Sequence, residues 1–300
     1  MWNSVENNKS TWENNSLFKS EHSGIYRIAT ADKILDYIHY KKINPEGSPS
    51  ITIVNWFDGI EISDHFFIKT ELKEGDKTLN VGSFNLQALY GLYKYKYSEE
   101  NLQFYLLNAC KNIDFIGLQE IDMNTENNYK KTIETLNRIF GTMNLTLLTS
   151  DKTPRCLTGI VYNTNKWDIT EDAICIPRGD IGKGATTALF TNNQDSEFVV
   201  RFTSVHLMSK SCEFKSVKGG FSSFMRNVGL ITTPTNCTVK RQDEFKKYTG
   251  DYDEEDSIQV LVGDFNTTQP VIGGSKTKKR IRRKKHTKTS KKHTKTSKKH

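Results

Sequence analysis

Short apolar runs bounded by turn residues recur along this 300-residue chain, and they restrict its fold more than any other feature. The clearest pair lies within Ile60–Gln87, where the polar turn Lys73–Lys77 (KEGDK) separates two strand-like stretches. This spacing predicts a hairpin or two neighbouring strands. Residue types that bind metal ions and phosphate stand at the strand ends, in Ser63-Asp64-His65 and Ser83-Phe84-Asn85.

Strand runs outnumber helical runs and follow one another along the chain, which is typical of an α+β sandwich of sheets flanked by helices. We predict Met1–Ser23 to be loose and Met208–Val239 to be an irregular insertion. Apolar spacing predicts helices over Leu102–Asn112, Tyr129–Phe140 and Lys240–Tyr248. Alternating or continuous apolar runs predict strands at Ile34–Tyr40, Ile51–Trp56, Ile62–Leu72, Leu79–Asn85, Asp114–Gln119, Leu145–Leu148, Thr158–Tyr162, Ala173–Ile176, Ala185–Thr191, Phe198–His206 and Ile258–Val262.

The charge distribution divides the chain near residue 275. The net charge is +8, but residues 275–300 hold 14 Lys and Arg and no acid, so residues 1–274 carry a net −6. We predict residues 1–274 to be one domain and residues 275–300 to be a disordered basic tail, because the tail has almost no apolar residues to bury. Such a tail predicts nucleic acid as a partner or a nuclear localisation signal, and the alternative is a solubilising extension with no specific partner.

The cysteines and the apolar runs bear on cellular location. Five scattered cysteines without CxxC spacing favour reduced thiols over a disulfide framework or a zinc site. No apolar run approaches the roughly 18 residues of a membrane span, and the polar N-terminus lacks the features of a signal peptide. We therefore predict an intracellular protein, cytoplasmic or nuclear. We also expect it to be a monomer.

Polar residues that bind metal or phosphate recur at the ends of the predicted strands. Any one of them alone is more often a solvated or structural side chain. Hard oxygen ligands at several strand ends are how proteins build a Mg²⁺ site, so the recurrence favours a functional site. The residues are Asp36, Asp64 with His65, Asn85, Glu120, His206, and Asp264 with Asn266.

These motifs resemble the endonuclease/exonuclease/phosphatase superfamily of Mg²⁺-dependent phosphoesterases. The resemblance implies a four-layer α/β/β/α sandwich of two mainly antiparallel sheets, as in deoxyribonuclease I. Two further matches, at Thr11-Trp12 and Arg241-Gln242, are weaker. The stronger matches are LDYI (Leu35–Ile38), SDH (Ser63–His65), SFN (Ser83–Asn85), LQE (Leu118–Glu120), SVHL (Ser204–Leu207) and GDFN (Gly263–Asn266).

The order of the motifs departs from the family. In the family, the counterparts of LDYI and SDH come last, whereas here they precede SFN. This order predicts a circular permutation, in which residues 11–72 are the family's C-terminal segment and residues 79–270 its N-terminal segment. Permutation is tolerated where the old termini lie close together and the new ones open in an exposed loop. The alternative is a decayed tandem copy whose N-terminal segment does not complete the site.

The resemblance implies a Mg²⁺ site, with Mn²⁺ as an alternative. Glu120 is the implied main ligand, assisted by Asn85 and Asp64. Arg178 and Lys183 are candidate contacts to substrate phosphate, although a solvated role is the more common one for such residues.

The resemblance also implies five catalytic residues. His65 contacts the scissile phosphate, and Asp36 orients its imidazole. Asp264 positions and deprotonates the attacking water, while Asn266 and His206 hold phosphate oxygens. The expected activity is a nuclease or nucleic-acid phosphodiesterase.

Two alternatives to a nuclease remain open. One is a phosphatase or phosphodiesterase acting on a phosphoinositide, a sphingolipid or another small phosphoester, and the other is a non-catalytic binding module. The histidine of SVHL is similar to that of the deadenylase, sphingomyelinase and tyrosyl-DNA phosphodiesterase branches. Ile121-Asp122-Met123 after LQE differ from the pattern of apurinic endonucleases, which argues against an enzyme dedicated to abasic sites.

Overall fold

The structure is a computed structural model, and it describes residues 3–4, 36–46, 49–54, 62–63, 65–87, 98–121, 125–150, 156–177, 184–207, 247–248 and 257–265. Several predictions therefore lie outside the described residues. They concern Thr11-Trp12, Asp64, Arg178, Lys183, Met208–Val239, Arg241-Gln242, all but the last two residues of the helix Lys240–Tyr248, Asn266 and the tail 275–300.

The described residues form two six-stranded sheets. Sheet 1 has the order β1-β2-β12-β11-β10-β9, and sheet 2 has the order β3-β4-β5-β6-β8-β7. The β5–β6 and β11–β12 pairs are parallel, and the other described pairs are antiparallel. The elements are β1 (Asn3–Ser4), β2 (Asp36–Lys41), β3 (Thr52–Val54), β4 (Phe67–Glu74), β5 (Lys77–Asn85), α1 (Glu99–Ala109), β6 (Phe115–Gln119), α2 (Glu126–Gly141), β7 (Leu145–Leu148), β8 (Gly159–Asn163), β9 (Trp167–Pro177), β10 (Gly184–Asn192), β11 (Val199–His206) and β12 (Ile258–Asp264).

The two sheets pack face to face around an aromatic core. The ring of Phe115 from sheet 2 lies 4.8 Å from Phe190 and 5.1 Å from Phe202, both on sheet 1, between ring centroids. These rings belong to a continuous cluster of buried residues from both sheets. Alternate residues of each strand face this interior, as a sandwich requires. The prediction of a sandwich of two mainly antiparallel sheets is confirmed.

The helices α1 and α2 cover the outer face of sheet 2. Each begins at a side-chain cap, because Ser98 accepts the N–H of Asn101 and Thr125 accepts that of Asn128. Apolar residues on one side of each helix pack against the outward residues of β5 and β6. On the outer face of sheet 1, Tyr248 packs in a third apolar cluster, and residues 247–248 are helical. No helix among the described residues is long and apolar enough to cross a membrane.

The predicted hairpin is confirmed as β4–β5. Glu74 pairs with Lys77 across a two-residue turn, and Gly75 has a φ of 58°, a conformation that glycine adopts at low cost. The predicted start of this strand at Ile62 is wrong, because β4 begins at Phe67. Ser63 Oγ instead accepts the N–H of His65, a local turn that competes with strand pairing.

The prediction of reduced thiols is wrong for two cysteines. Cys156, just before β8, and Cys175, in β9, form a disulfide with their Cα atoms 5.6 Å apart. The bridge links the segment before β8 of sheet 2 to β9 of sheet 1, and its two cysteines are 19 positions apart in sequence. Cys110 is free and buried, and burial raises the pKa of its thiol, so it has the character of a packed core residue.

The prediction that Met1–Ser23 is loose is wrong for two residues. Asn3 and Ser4 form β1 and pair with Tyr40 and His39 of β2. Polar composition did not reveal this strand, because backbone hydrogen bonds to an exposed sheet edge need no apolar side chain.

Candidate active site

The two parallel strand pairs determine where the predicted site residues lie. The carboxyl ends of parallel neighbours meet at one edge of a sheet. Asn85 is level with Gln119 on sheet 2, and His206 is level with Asp264 on sheet 1. The residues at these strand ends therefore lie at the same end of the sandwich.

The N-terminal segment adds two residues to the same end. Strand β2 runs antiparallel to β12, so its first residue, Asp36, pairs with the last residue, Asp264. Strand β4 runs antiparallel to β5, which places His65, two residues before β4, beside the end of β5. Residues that are far apart in sequence thus meet at one end of the fold.

Asp36 and His65 form a buried pair that joins the two sheets. His65 Nδ1 lies 2.7 Å from Asp36 Oδ2, and His65 Nε2 lies 4.0 Å from Asp264 Oδ2. A carboxylate at Nδ1 fixes the tautomer and the orientation of an imidazole. The Nε2 atom is therefore directed toward Asp264, where it can exchange a proton or face a developing negative charge.

Glu120, His206 and Asp264 form a second cluster. His206 Nε2 lies 3.6 Å from Glu120 Oε1 and 3.6 Å from Asp264 Oδ2. One ligand atom from each residue lies within 4.8 Å of the others, so the group can hold a metal ion. Two converging carboxylates, one of them almost wholly buried, favour a bound cation. Their oxygens suit Mg²⁺ or Mn²⁺, whereas an imidazole nitrogen is less typical of Mg²⁺ sites.

Asn85 orients both carboxylates in the described conformation. Its Nδ2 lies 3.3 Å from Glu120 Oε1 and 3.3 Å from Asp264 Oδ2, and its Oδ1 accepts the N–H of Gln87. The amide thus presents donors, not an oxygen, to the cluster. The role of Asn85 as a metal ligand stays a prediction. It would require the side-chain amide to flip, so that Oδ1 instead of Nδ2 faces the cluster.

The backbone of Glu120 has an unusual conformation. Its φ is 53°, in the left-handed region that non-glycine residues seldom adopt. Backbone hydrogen bonds on both sides hold the conformation, from Leu86 N–H to Gln119 O and from Ile121 N–H to Leu157 O. Such residues cost about 1–3 kcal/mol each and concentrate at functional sites. The turn brings the Glu120 carboxylate to within 3.6 Å of His206.

Gly263 is required next to Asp264. Its φ is 148°, and a Cβ atom there would lie 1.9 Å from the carbonyl oxygen of Val205. Only glycine permits this close approach between β11 and β12. Leu207 N–H donates to Asp264 O, which fixes the position of the carboxylate further.

Six of the predicted site residues are described, and the structure brings all of them together. They are Asp36, His65, Asn85, Glu120, His206 and Asp264. Asp64 and Asn266 lie outside the described residues. Sequence reasoning missed the role of Ser63, whose hydroxyl donates to Asn85 O and accepts from His65 N–H. Its place in the SDH motif was the available signal.

No protein-family model and no curated protein matches the sequence. The chain is similar to several solved structures. D. rerio TDP2 in complex with a single-strand DNA product is 17% identical, with 65% of this chain and 64% of that chain covered and a TM-score of 0.41. The human nocturnin catalytic domain with a bound sulfate is 12% identical, with 56% and 57% covered and a TM-score of 0.35.

An endonuclease/exonuclease/phosphatase family protein from Bacteroides thetaiotaomicron is 15% identical, with 64% of this chain and 66% of that chain covered and a TM-score of 0.37. This chain spans 57% to 66% of the length of these structures, which is less than two thirds of each. TM-scores of this size carry no conclusion about activity.

Proposed function

We propose that this chain is a metal-dependent phosphoester hydrolase of the endonuclease/exonuclease/phosphatase superfamily, and more specifically a Mg²⁺-dependent nuclease or nucleic-acid phosphodiesterase. One observation carries the proposal. The Asp36–His65 pair from the N-terminal segment faces Asp264 across 4.0 Å, beside the cluster of Glu120, His206 and Asp264. A metal-binding group next to an oriented imidazole suits phosphoryl transfer.

Glu120 is the proposed main ligand of the metal ion, with Asp64 and Asn85 assisting. The closeness of the Glu120 and Asp264 carboxylates, whose ligand atoms lie within 4.8 Å of each other, supports a cation beside Glu120. When bound, Mg²⁺ or Mn²⁺ supplies positive charge that neutralises phosphoryl oxygens. His206 is proposed to hold a phosphate oxygen, since its nitrogen is a less typical Mg²⁺ ligand.

The proton chemistry is assigned to His65 and Asp264. Asp264 is the proposed base that positions and deprotonates the attacking water. His65, oriented by Asp36, is proposed to contact the scissile phosphate and to stabilise its developing charge. Asn266, by its place in the GDFN motif, is proposed to hold a phosphate oxygen beside His206.

The proposed substrate class is nucleic acid. The support is the basic tail 275–300, because a dense run of Lys and Arg neutralises backbone phosphates. The test is a panel of single- and double-stranded DNA and RNA, a phosphoinositide and sphingomyelin, each with Mg²⁺, with Mn²⁺ and with EDTA. Cleavage of nucleic acid that requires the metal and falls about 10³-fold in Asp264→Ala supports the proposal. Cleavage of the lipid substrates alone would replace it with the second substrate class.

The circular permutation stays a prediction, as does the single domain over residues 1–274. Strands β2 and β4 of the N-terminal segment lie beside β12 and β5, the arrangement that a completed site needs. The monomeric state also stays a prediction. The prediction of an intracellular location, cytoplasmic or nuclear, rested partly on reduced thiols. The Cys156–Cys175 disulfide argues against that part, because disulfides are more typical of oxidising compartments.

A further inference from the structure

A row of fully buried polar side chains crosses the interior of the sandwich one layer below the candidate site. On the side away from the candidate site the interior is apolar. Burying a polar group costs free energy unless it is hydrogen-bonded, so such a row within an apolar core calls for a reason. The members, which we call the polar row, are Ser83, Gln119, Thr158, Thr186 and Ser204, all 0% exposed.

Three members of the polar row form a directional chain of hydrogen bonds between the sheets. Ser83 Oγ donates to Gln119 Oε1 at 3.3 Å, and Gln119 Nε2 donates to Ser204 Oγ at 3.1 Å. Ser204 Oγ then donates to the carbonyl oxygen of Leu118 at 2.9 Å. The first donor lies on sheet 2 and Ser204 lies on sheet 1, so the chain crosses the gap between the sheets and returns.

Each member of this chain adjoins a residue of the site. Ser83 precedes Asn85 by two residues and Ser204 precedes His206 by two, so each pair shares the inward face of its strand. Gln119 directly precedes Glu120. The chain therefore lies immediately beneath the two halves of the site that different sheets contribute.

The sheets approach each other closely at this layer. A Cβ atom on Gly117 would lie 2.3 Å from Val262 Cγ2 and 3.0 Å from Ser204 Oγ. Glycine at this position lets β6 and β11 come near enough for the hydrogen bonds to form. Apolar packing tolerates small sliding of one sheet over the other, whereas directional hydrogen bonds specify one arrangement.

We propose that Ser83, Gln119 and Ser204 are positioning residues, which set the spacing between Glu120 on sheet 2 and the His206–Asp264 pair on sheet 1. This inference rests on the proposed function, because the spacing matters only if Glu120 binds a metal ion beside the phosphate oxygen that His206 holds and the water that Asp264 positions. Groups that keep a metal ligand in position affect metal affinity by about 10–100-fold. The positioning role therefore predicts a change in metal affinity beyond any change in stability.

The chain offers a closely matched control. Thr203 neighbours Ser204 in β11, is buried, and donates its hydroxyl to Thr187 Oγ1 at 2.9 Å, but it points to the outer face of sheet 1. Ser204→Ala and Thr203→Val each remove one buried hydroxyl from the same strand. The readout is the Mn²⁺ dissociation constant by electron paramagnetic resonance, at a temperature where circular dichroism shows both variants folded.

We expect Ser204→Ala and Gln119→Met to raise the Mn²⁺ dissociation constant about 10-fold or more, and Thr203→Val to change it less than twofold. The kcat for the best substrate should fall with Ser204→Ala while KM changes less. If Ser204→Ala does not fold, Ser83→Ala is the substitute, because it removes only the 3.3 Å hydrogen bond from Ser83 Oγ to Gln119 Oε1. It should raise the Mn²⁺ dissociation constant by a smaller factor. Unchanged affinity in the folded variants overturns the positioning role alone, whereas a wild type that binds no Mn²⁺ overturns the proposed metal site and this inference with it.

Discussion

Asp36 Oδ2 lies 2.7 Å from His65 Nδ1, although Asp36 begins β2 of sheet 1, His65 precedes β4 of sheet 2, and the two residues are 29 positions apart in sequence. Both side chains are almost wholly buried. The pair therefore reports directly on whether the N-terminal segment completes the site that β5, β6, β11 and β12 begin.

Asp36→Asn should lower kcat by about 10²-fold or more and leave KM nearly unchanged, because the amide no longer fixes the imidazole tautomer. Steady-state kinetics on the best substrate of the panel measures the effect. Tyr37→Phe, at the next position of β2, is the matched control, since its side chain belongs to the cluster on the outer face of sheet 1. Equal losses of kcat in both variants would assign the effect to the strand and not to the Asp36 carboxylate.

Glu120→Gln and Asp264→Asn separate the two roles that the cluster allows. If Asp264 is the base, Asp264→Asn should lower kcat about 10³-fold and leave the Mn²⁺ dissociation constant within a few-fold. Glu120→Gln should weaken Mn²⁺ binding strongly, because it removes the charge of the main ligand. Mn²⁺ titration of both variants measures the difference. Loss of Mn²⁺ binding in Asp264→Asn would make that residue a metal ligand.

Gly263→Ala should destabilise the fold by about 2 kcal/mol or more, because the new Cβ atom meets the backbone of β11 and the φ of 148° suits glycine alone. Gly141→Ala, at the end of α2, is the control, since a Cβ atom there has no neighbour within 4 Å. It should leave stability unchanged or raise it by up to about 1 kcal/mol. Urea unfolding of both variants tests the contrast, and equal stability would mean that β11 and β12 adjust freely.

The sequence predicted most strands and helices, because their apolar periodicity is strong and their caps are short-range features. The pairing of the strands could be read only from the structure, because nothing in the order of the sequence shows that Asp36 pairs with Asp264. The Cys156–Cys175 disulfide was missed for the same reason, since spacing alone cannot show that two Cα atoms lie 5.6 Å apart. The polar row also escaped notice, because isolated Ser, Thr and Gln residues within strands carry no pattern.

Removing the disulfide should cost about 3 kcal/mol of stability, given the closed loop between residues 19 positions apart. Thermal unfolding of wild type with and without dithiothreitol measures this, and the Cys156→Ser/Cys175→Ser double variant should not respond to the reductant. A melting temperature of wild type that does not depend on the reductant would mean that the bridge does not form.

Stability should decline at alkaline pH, partly through Tyr37. Burial, together with the negative charge of Asp36, raises the pKa of Tyr37 to about 12, whereas an unfolded tyrosine titrates near 10. Above pH ~10 the unfolded state releases this proton first, so the free energy of unfolding falls as pH rises toward 12. Tyr37→Phe should make the decline shallower in urea unfolding between pH 8 and 11. An unchanged slope would contradict the raised pKa.

The most direct measurement is the Mg²⁺-dependent hydrolysis rate of wild type and His65→Ala on the best phosphoester substrate, with Mn²⁺ affinity and unfolding followed in parallel. If the N-terminal segment completes the active site, kcat falls about 10³-fold or more in His65→Ala while metal affinity changes little, at a temperature where the variant, destabilised by the loss of the Asp36 partner, is still folded. Hydrolysis by His65→Ala at the wild-type rate would contradict this and leave residues 36–65 outside the catalytic machinery.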